Sequence, residues 1–289
     1  MSQSAGQRAI SFCADDFGLS PAIDKAIVNL AVGGRLQAVS CITSLARWRE
    51  AAKPLQDLPA GVSIGLHFVL TGLPAAVDDG TTALRAVDPS PGGLLMRALL
   101  GRFEPAAIIA ALDAQLDRFE AATGRRPDHV DGHHHVHAMP GIAGIVRDRL
   151  SKRYGADLPW IRSLSPCLPL PTAPIRRGII ERMGRHQRRV YSHTAFRFNR
   201  VFGGVRNFRE PLPYADLLAA QLSAVRSHGA LIMCHPALGG GELAGDEIAA
   251  ARIAEYDVLA SPSLPELLAR FACQLAPLVP VSLDQSSSG

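Results

Sequence analysis

The chemistry of this chain is densest in Asp131-Gly132-His133-His134-His135-Val136-His137, where four of its ten histidines and one carboxylate fall within seven consecutive residues. Imidazole and carboxylate together serve as divalent-metal ligands or as partners in proton transfer. The run lies near the middle of the chain, where an affinity tag does not sit. Two imidazoles and one carboxylate bind a metal while leaving positions open for water and substrate, as hydrolytic metals require. If the run continues as a strand, alternation places Asp131, His133 and His135 on one side and His134 on the other, so not every histidine is a ligand. A second station, Asp15-Asp16, offers paired acids that divide the work. One would bind metal, and the other would stay free as a base whose pKa the cation and its neighbour adjust.

These stations need a scaffold that brings distant segments together. Apolar runs bounded by turn residues predict strands over 9–14, 38–43, 62–70, 129–133, 160–163 and 230–234. Between them, helical spacing predicts helices over 22–32, 48–56, 94–100, 105–123, 141–154, 213–228, 245–259 and 264–271. The first is marked by Ser20 as N-cap, Pro21 at the first helical position, and Ile23, Ala26, Ile27 and Leu30 on one face. Gly124 is a natural C-cap for the helix over 105–123. The Gly/Pro-rich stretch 72–93 reads as a loop walling a cleft.

Alternating strands and helices without an internal repeat imply an α/β fold with a parallel sheet, most economically closed as a TIM-barrel-like (β/α) barrel. A doubly wound open sheet is the competing architecture, although no strand is followed by a GxGxxG loop. A single catalytic domain is expected over 1–276, with a basic helical insertion at about 166–212 and an unpacked tail over 277–289. Asp15, Asp16, His67, Asp131, His133, Arg162 and His235 all fall at or near C-terminal strand ends, the face on which parallel α/β folds build active sites. Packing alone does not gather ionisable groups there, because each buried charge costs on the order of several kcal/mol unless paired or metal-bound.

Composition sets the bounds. The chain has 289 residues, 47% hydrophobic and 19% charged, and a mean hydropathy of +0.12, values of a globular protein. No apolar run approaches the roughly 20 residues of a membrane-spanning helix. A polar start followed by a strand cut off at Asp15 lacks a signal-peptide core, so a cytoplasmic protein is expected. Its five cysteines are scattered through apolar contexts without a CxxC, which suits reduced, packed thiols. The net charge of +4 is too small to imply nucleic acid. It is concentrated, however, in Arg176, Arg177, Arg182, Arg185, Arg188, Arg189, Arg197, Arg200, Arg206 and Arg209, opposed within that span only by Glu181.

The motifs ADDFGLS at 14–20, GLHFVLT at 65–71 and DGHHHVH at 131–137, followed by Cys234-His235-Pro236 and by Arg252 with Leu259, occur in an order that resembles the YdjC-like carbohydrate deacetylases. The resemblance spans nearly the whole chain. It implies a TIM-barrel-like, metal-dependent amidase that removes acetyl groups from N-acetylated sugars. By that likeness Asp16, His67 and His133 hold one divalent metal ion, zinc or magnesium. Asp15 is then the base that deprotonates water, and His235 the acid that protonates the departing amine. Asp131 and His135 stand behind the ligands or meet the substrate, and Arg162 binds a sugar hydroxyl or stabilises a carboxylate. Departures are mild: Cys13 stands where relatives often carry Asn, and a late Arg-x-x-Glu pattern persists as Arg252 and Glu255, with Asp257 close by.

The arginine-rich segment is the larger departure, since a short oligosaccharide does not call for it. It is similar to the branch associated with hopanoid biosynthesis, whose implied substrate is an N-acetylglucosaminyl lipid, and it would rest against an anionic membrane surface. A lid helix with solvated arginines is the plainer alternative. Two other functions compete with deacetylation: another metal-dependent hydrolase such as a phosphodiesterase, and a non-catalytic membrane-associated binding protein.

Overall fold

The scaffold is organised around β1 (Arg8–Phe17), whose last eight residues are all buried. Its apolar side chains Ile10, Phe12, Ala14 and Phe17 are fully excluded from water, as expected of a central parallel strand covered on both faces. The computed structural model describes residues 6–72, 90–169, 172–208 and 212–283. In it β1 pairs in parallel with β2 (Ala38–Cys41), β7 (Ala230–Cys234) and, through its first residues, β8 (Cys273–Leu275). The sheet continues through β3 (Ser63–Phe68), β4 (His129–Gly132) and β5 (Trp160–Ile161) on one side, and β6 (Val201–Gly203) on the other, in the order β5-β4-β3-β2-β1-β7-β6. Every ladder is parallel.

The two ends of this order meet. Phe202 N–H donates to Pro166 O at 2.9 Å and Leu168 N–H to Phe202 O at 2.7 Å, and parallel bridges join Ile161 to Phe198 and Cys167 to Phe202. The sheet therefore curls into a barrel with an irregular seam, and the doubly wound alternative does not apply. Strands β6 and β8 escape sequence reading because each has three residues, too few to show a period.

Helices α1 (Pro21–Val32) and α4 (Pro105–Thr123) form where their caps predict. Ser20 Oγ accepts from Ile23 N–H at 3.4 Å, and Gly124 closes α4 in the left-handed region at φ 70°. The helix expected over 48–56 divides into α2 (Trp48–Ala51) and a 3-10 turn at Lys53–Asp57, since Pro54 has no N–H to continue the α ladder. Helix α3 (Pro91–Leu99) begins inside the stretch read as loop, and 73–89 lie outside the described residues. The remaining helices are α5 (Ile142–Tyr154), α6 (Pro174–Val190), α7 (Tyr214–Ala224), α8 (Ala249–Ala260) and α9 (Leu264–Arg270). None of the described helices is long and apolar enough to cross a membrane.

The basic segment is not one surface. In α6, Ile180, Met183 and Gln187 are buried while Ile175, Ile179, Arg182, Arg185 and Arg189 are exposed. Arg206, counted in the same run, is buried and paired with Glu255, and Arg209 lies outside the described residues. The expected unpacked tail is also anchored in part: Val281 is buried and exchanges both backbone hydrogen bonds with Phe198, at 2.8 and 2.9 Å. All five cysteines are free and buried.

Candidate active site

Asp15 and Asp16 would point to opposite faces of a regular strand. They do not, because β1 carries a bulge at this point: Ala14 pairs with Val39 and Phe17 with Cys41, so three steps on β1 match two on β2. The extra residue is accommodated by Asp16 in the left-handed region at φ 69°. Bulges re-aim side chains in this way at strand ends. Asp16 Oδ1 lies 3.1 Å from His133 Nδ1 and 3.5 Å from His67 Nε2, and Oδ2 accepts from Arg252 at 2.7 Å. Burial pushes the Asp16 carboxyl up, but Arg252 and His133 outweigh it and hold the group well below the usual carboxylate range.

Strand β3 delivers His67 and β4 delivers Asp131, which stand side by side in the ladder. His67 Nδ1 lies 2.6 Å from Asp131 Oδ1, so Nδ1–H donates to the carboxylate and Nε2 is left facing Asp16. This carboxylate–histidine pairing orients imidazoles toward metals. Burial lowers the His67 pKa, but the carboxylates of Asp15, Asp131 and Asp16 prevail and raise it. The neighbouring Ser40 hydroxyl also donates to Asp131.

Arg162 is fully buried and grips both remaining carboxylates. Its guanidinium donates to Asp15 at 2.8 and 2.6 Å and lies 2.5 Å from Asp131. Of the two roles expected for Arg162, these contacts are with carboxylates. Asp131 is driven down despite burial, with Arg162 the strongest cause and His67 next. Cys13 Sγ lies 3.0 Å from the same guanidinium, and burial raises its thiol pKa well above the usual value.

The histidine run departs from strand alternation. Strand β4 ends at Gly132 and His133–Ala138 form a 3-10 turn interrupted by two left-handed residues, His134 (φ 53°) and His135 (φ 61°). Such conformations cost on the order of 1–3 kcal/mol each for residues with a side chain. His133, partly exposed, turns to Asp16, while the exposed His134 reaches Thr71 with Nδ1 3.0 Å from Oγ1. His135 packs edge-on against Phe202, ring centroids 5.6 Å apart. Among the described residues it makes no hydrogen bond or ion pair with Asp16, His67 or His133, and the strand alternation expected to set it beside His133 does not apply past Gly132, where β4 ends. His137 is fully buried, with Nε2 3.0 Å from Arg162 O.

At the end of β7, His235 Nε2 lies 4.0 Å from Asp15 Oδ2 and Nδ1 lies 4.0 Å from Glu255 Oε2. Glu255 accepts the His235 backbone N–H and pairs with Arg206 at 3.1 Å. Burial lowers His235 to about 4 and raises Glu255 to about 7. Phe208 stands edge-on to the His235 ring at 5.1 Å. In the sequence Arg252 and Glu255 stand only as a late Arg-x-x-Glu pattern. Their three-residue spacing on α8 was the available signal for a shared inward face, which the site uses at both ends.

Three groups of described residues bring metal-ligating atoms within 4.8 Å of one another: Asp16, His67 and His133; Asp15, His67 and Asp131; and Cys13, His129 and Asp131. In the last two, Arg162 already neutralises the carboxylates and contacts the thiol. The first offers one carboxylate oxygen and two imidazole nitrogens, with His133 at its partly exposed edge. Its donor chemistry fits a divalent cation.

The family model described as YdjC-like protein matches residues 9–270. This chain belongs to the YdjC-like family. Among curated relatives, a chitooligosaccharide deacetylase of Enterobacter sp. is 29% identical over 89% of the chain and 92% of its own length. A carbohydrate deacetylase of Mus musculus is 31% identical over 91% of each. A solved Enterococcus faecalis structure assigned to cellobiose-phosphate cleavage shares the fold of this YdjC-like chain. It has a TM-score of 0.69 and 20% identity, covering 93% of this chain and 97% of the other.

Proposed function

We propose that this YdjC-like protein hydrolyses the acetamido group of an N-acetylated sugar, with Asp16, His67 and His133 holding one divalent cation, zinc or magnesium. The observation that carries this reading is the meeting of that triad with Asp15 and His235, brought from four strand ends to one place. The relatives named as deacetylases supply the reaction class. A bound cation would polarise the amide carbonyl and make water a better nucleophile.

The chain's own groups account for the protons. Asp15, held by both Arg162 nitrogens, accepts a proton from the attacking water. The water oxygen bonds to the carbonyl carbon, the C–N bond breaks, and the nitrogen leaves with a proton as the amine, while the acyl group becomes acetate. His235 is the group placed to deliver that proton. Because burial holds it neutral near pH 7, the proton reaches it during turnover, from Asp15, whose Oδ2 lies 4.0 Å from Nε2 and which has taken one from the attacking water. With Arg162 occupying Asp15 and Asp131, one triad among the described residues is left for metal, which supports this chemistry over the two-metal route common in phosphodiesterases.

The exposed face of α6, with Ile175 and Ile179 at its start and Arg182, Arg185 and Arg189 beyond, supports a glycolipid substrate met at an anionic membrane surface. The five free, buried thiols support a reducing, cytoplasmic setting. The test is acetate release from chitooligosaccharides and from an N-acetylglucosaminyl lipid by protein loaded with zinc or magnesium. Release from at least one is expected, and Asp15→Asn should abolish it while cation binding persists. No release from either substrate with either metal would sink the reading.

A further inference from the structure

We infer that His134 is a substrate-positioning residue, its ring held at the mouth of the site so that Nε2–H donates to an oxygen of the acetamido sugar. This rests on the deacetylase reading and adds to it a residue outside the proposed metal triad and proton pair.

The backbone is the first observation. His134 and His135 are consecutive non-glycine residues in the left-handed region, at φ 53° and 61°. Strain of this kind persists where surrounding structure imposes it and concentrates at ligand-handling sites. For His135 a packing role is visible, since its ring meets Phe202. His134 is exposed, so hydrophobic burial does not offset its strain.

The ring is nevertheless fixed. Thr71, itself 3% exposed, places Oγ1 3.0 Å from His134 Nδ1, and the His133 ring lies against it with centroids 4.1 Å apart. Gly72 supplies the third constraint. A Cβ there would lie 2.6 Å from His134 Cε1 and 3.3 Å from His133 Nε2. The chain thus has no side chain where one would push both imidazoles aside, and Gly72 itself takes the left-handed φ of 80°.

In the tautomer in which the Thr71 hydroxyl donates to Nδ1, the neutral ring carries its proton on Nε2. Nε2 is then a rigid donor beside the triad. A sugar presenting its acetamido group to Asp16, His67 and His133 brings hydroxyl and carbonyl oxygens alongside, and these are acceptors of the kind such a donor selects. An exposed imidazole held by a buried threonine, on strained backbone over an obligatory glycine, orients a ligand without burying itself.

The experiment compares wild type with His134→Gly and His134→Asn, both tolerant of the left-handed region. Three quantities are read: thermal midpoint, calorimetric affinity for di-N-acetylchitobiose in cation-loaded protein, and kcat and KM for acetate release. Unchanged or raised midpoints are expected in both variants, with sugar affinity weakened about tenfold, KM raised to match, and cation affinity unaltered. Midpoints lowered by several degrees in both variants would make His134 a structural residue and overturn the inference. So would sugar affinity equal to wild type, or no sugar binding by wild type. If the variants lose sugar affinity but wild type releases no acetate, the deacetylase reading fails while the positioning role stands.

Discussion

Arg162 shows most directly what one residue contributes. It is 0% exposed and neutralises Asp15 and Asp131 together, so the proposed base and the carboxylate behind His67 share one countercharge. Removing one partner of a buried ion pair leaves charge without compensation, which typically costs about 3–5 kcal/mol. Arg162→Ala should therefore lower stability by about that amount in urea unfolding. Arg162→Lys should recover part of the loss but not turnover, since an ammonium cannot reproduce the two-nitrogen grip on Asp15. A stability equal to wild type in Arg162→Ala would contradict the network. In the sequence Arg162 was visible as a polar residue at a strand end, with two readings open. Its complete burial depends on β6 and the seam, neither of which has a local signature.

At the scale of elements, the β1 bulge and the β7–α8 junction do the positioning. Asp16 occupies the left-handed position that the bulge requires, a conformation asparagine also accepts. Asp16→Asn should keep the left-handed backbone but leave Arg252 one countercharge short, so it should lower the thermal midpoint in part and weaken cation binding in calorimetry. Asp16→Val should lose both, because a β-branched residue is strained there. If Asp16→Val binds the cation normally, the carboxylate is not a ligand. At the end of β7, the direct neighbour of β1, Glu255 holds the backbone of His235 from α8. Glu255→Ala should reduce kcat by roughly 10-fold or more while KM stays near its wild-type value, since it disturbs orientation rather than substrate contact. Glu255→Gln keeps an oxygen acceptor and should lose less. Equal loss in the two variants would argue against positioning through that hydrogen bond. The caps of α1 and α4 were legible because Ser20-Pro21 and Gly124 act within one helical turn. The bulge was not, because it exists only as a mismatch between β1 and a strand more than twenty residues away.

For the molecule as a whole, buried histidines set the response to acid. Burial lowers His129, His137 and His235 from the ordinary imidazole value of 6.5 to about 4, and His135 well below that value. The unfolded chain then binds protons near pH 6.5 that the folded chain refuses until about 4, so stability falls as pH drops through this window. Glu255, raised from 4.5 to about 7 despite Arg206, acts oppositely, its contribution lost as pH rises through 7. His67, also raised, acts in the same sense as Glu255. His67 titrates above 6.5, so between pH 6.5 and 4 the raised groups are Glu255 and Asp24; four lowered imidazoles against these two leave the net slope positive, and the thermal midpoint should fall on acidification over that interval. A midpoint that is flat or rises over that interval would show that these imidazoles are not buried neutral. The α/β class and the placing of ionisable residues at strand ends are legible in the chain alone, because periodicity, caps and strand termini are local properties. Tertiary structure alone decided which way those residues face. The bulge turned Asp16 to the same site as Asp15, the left-handed turn separated His133 from His135, and closure of the barrel seam buried Arg162. Each of these depends on pairing and packing between segments far apart in the chain, where no local period can register them.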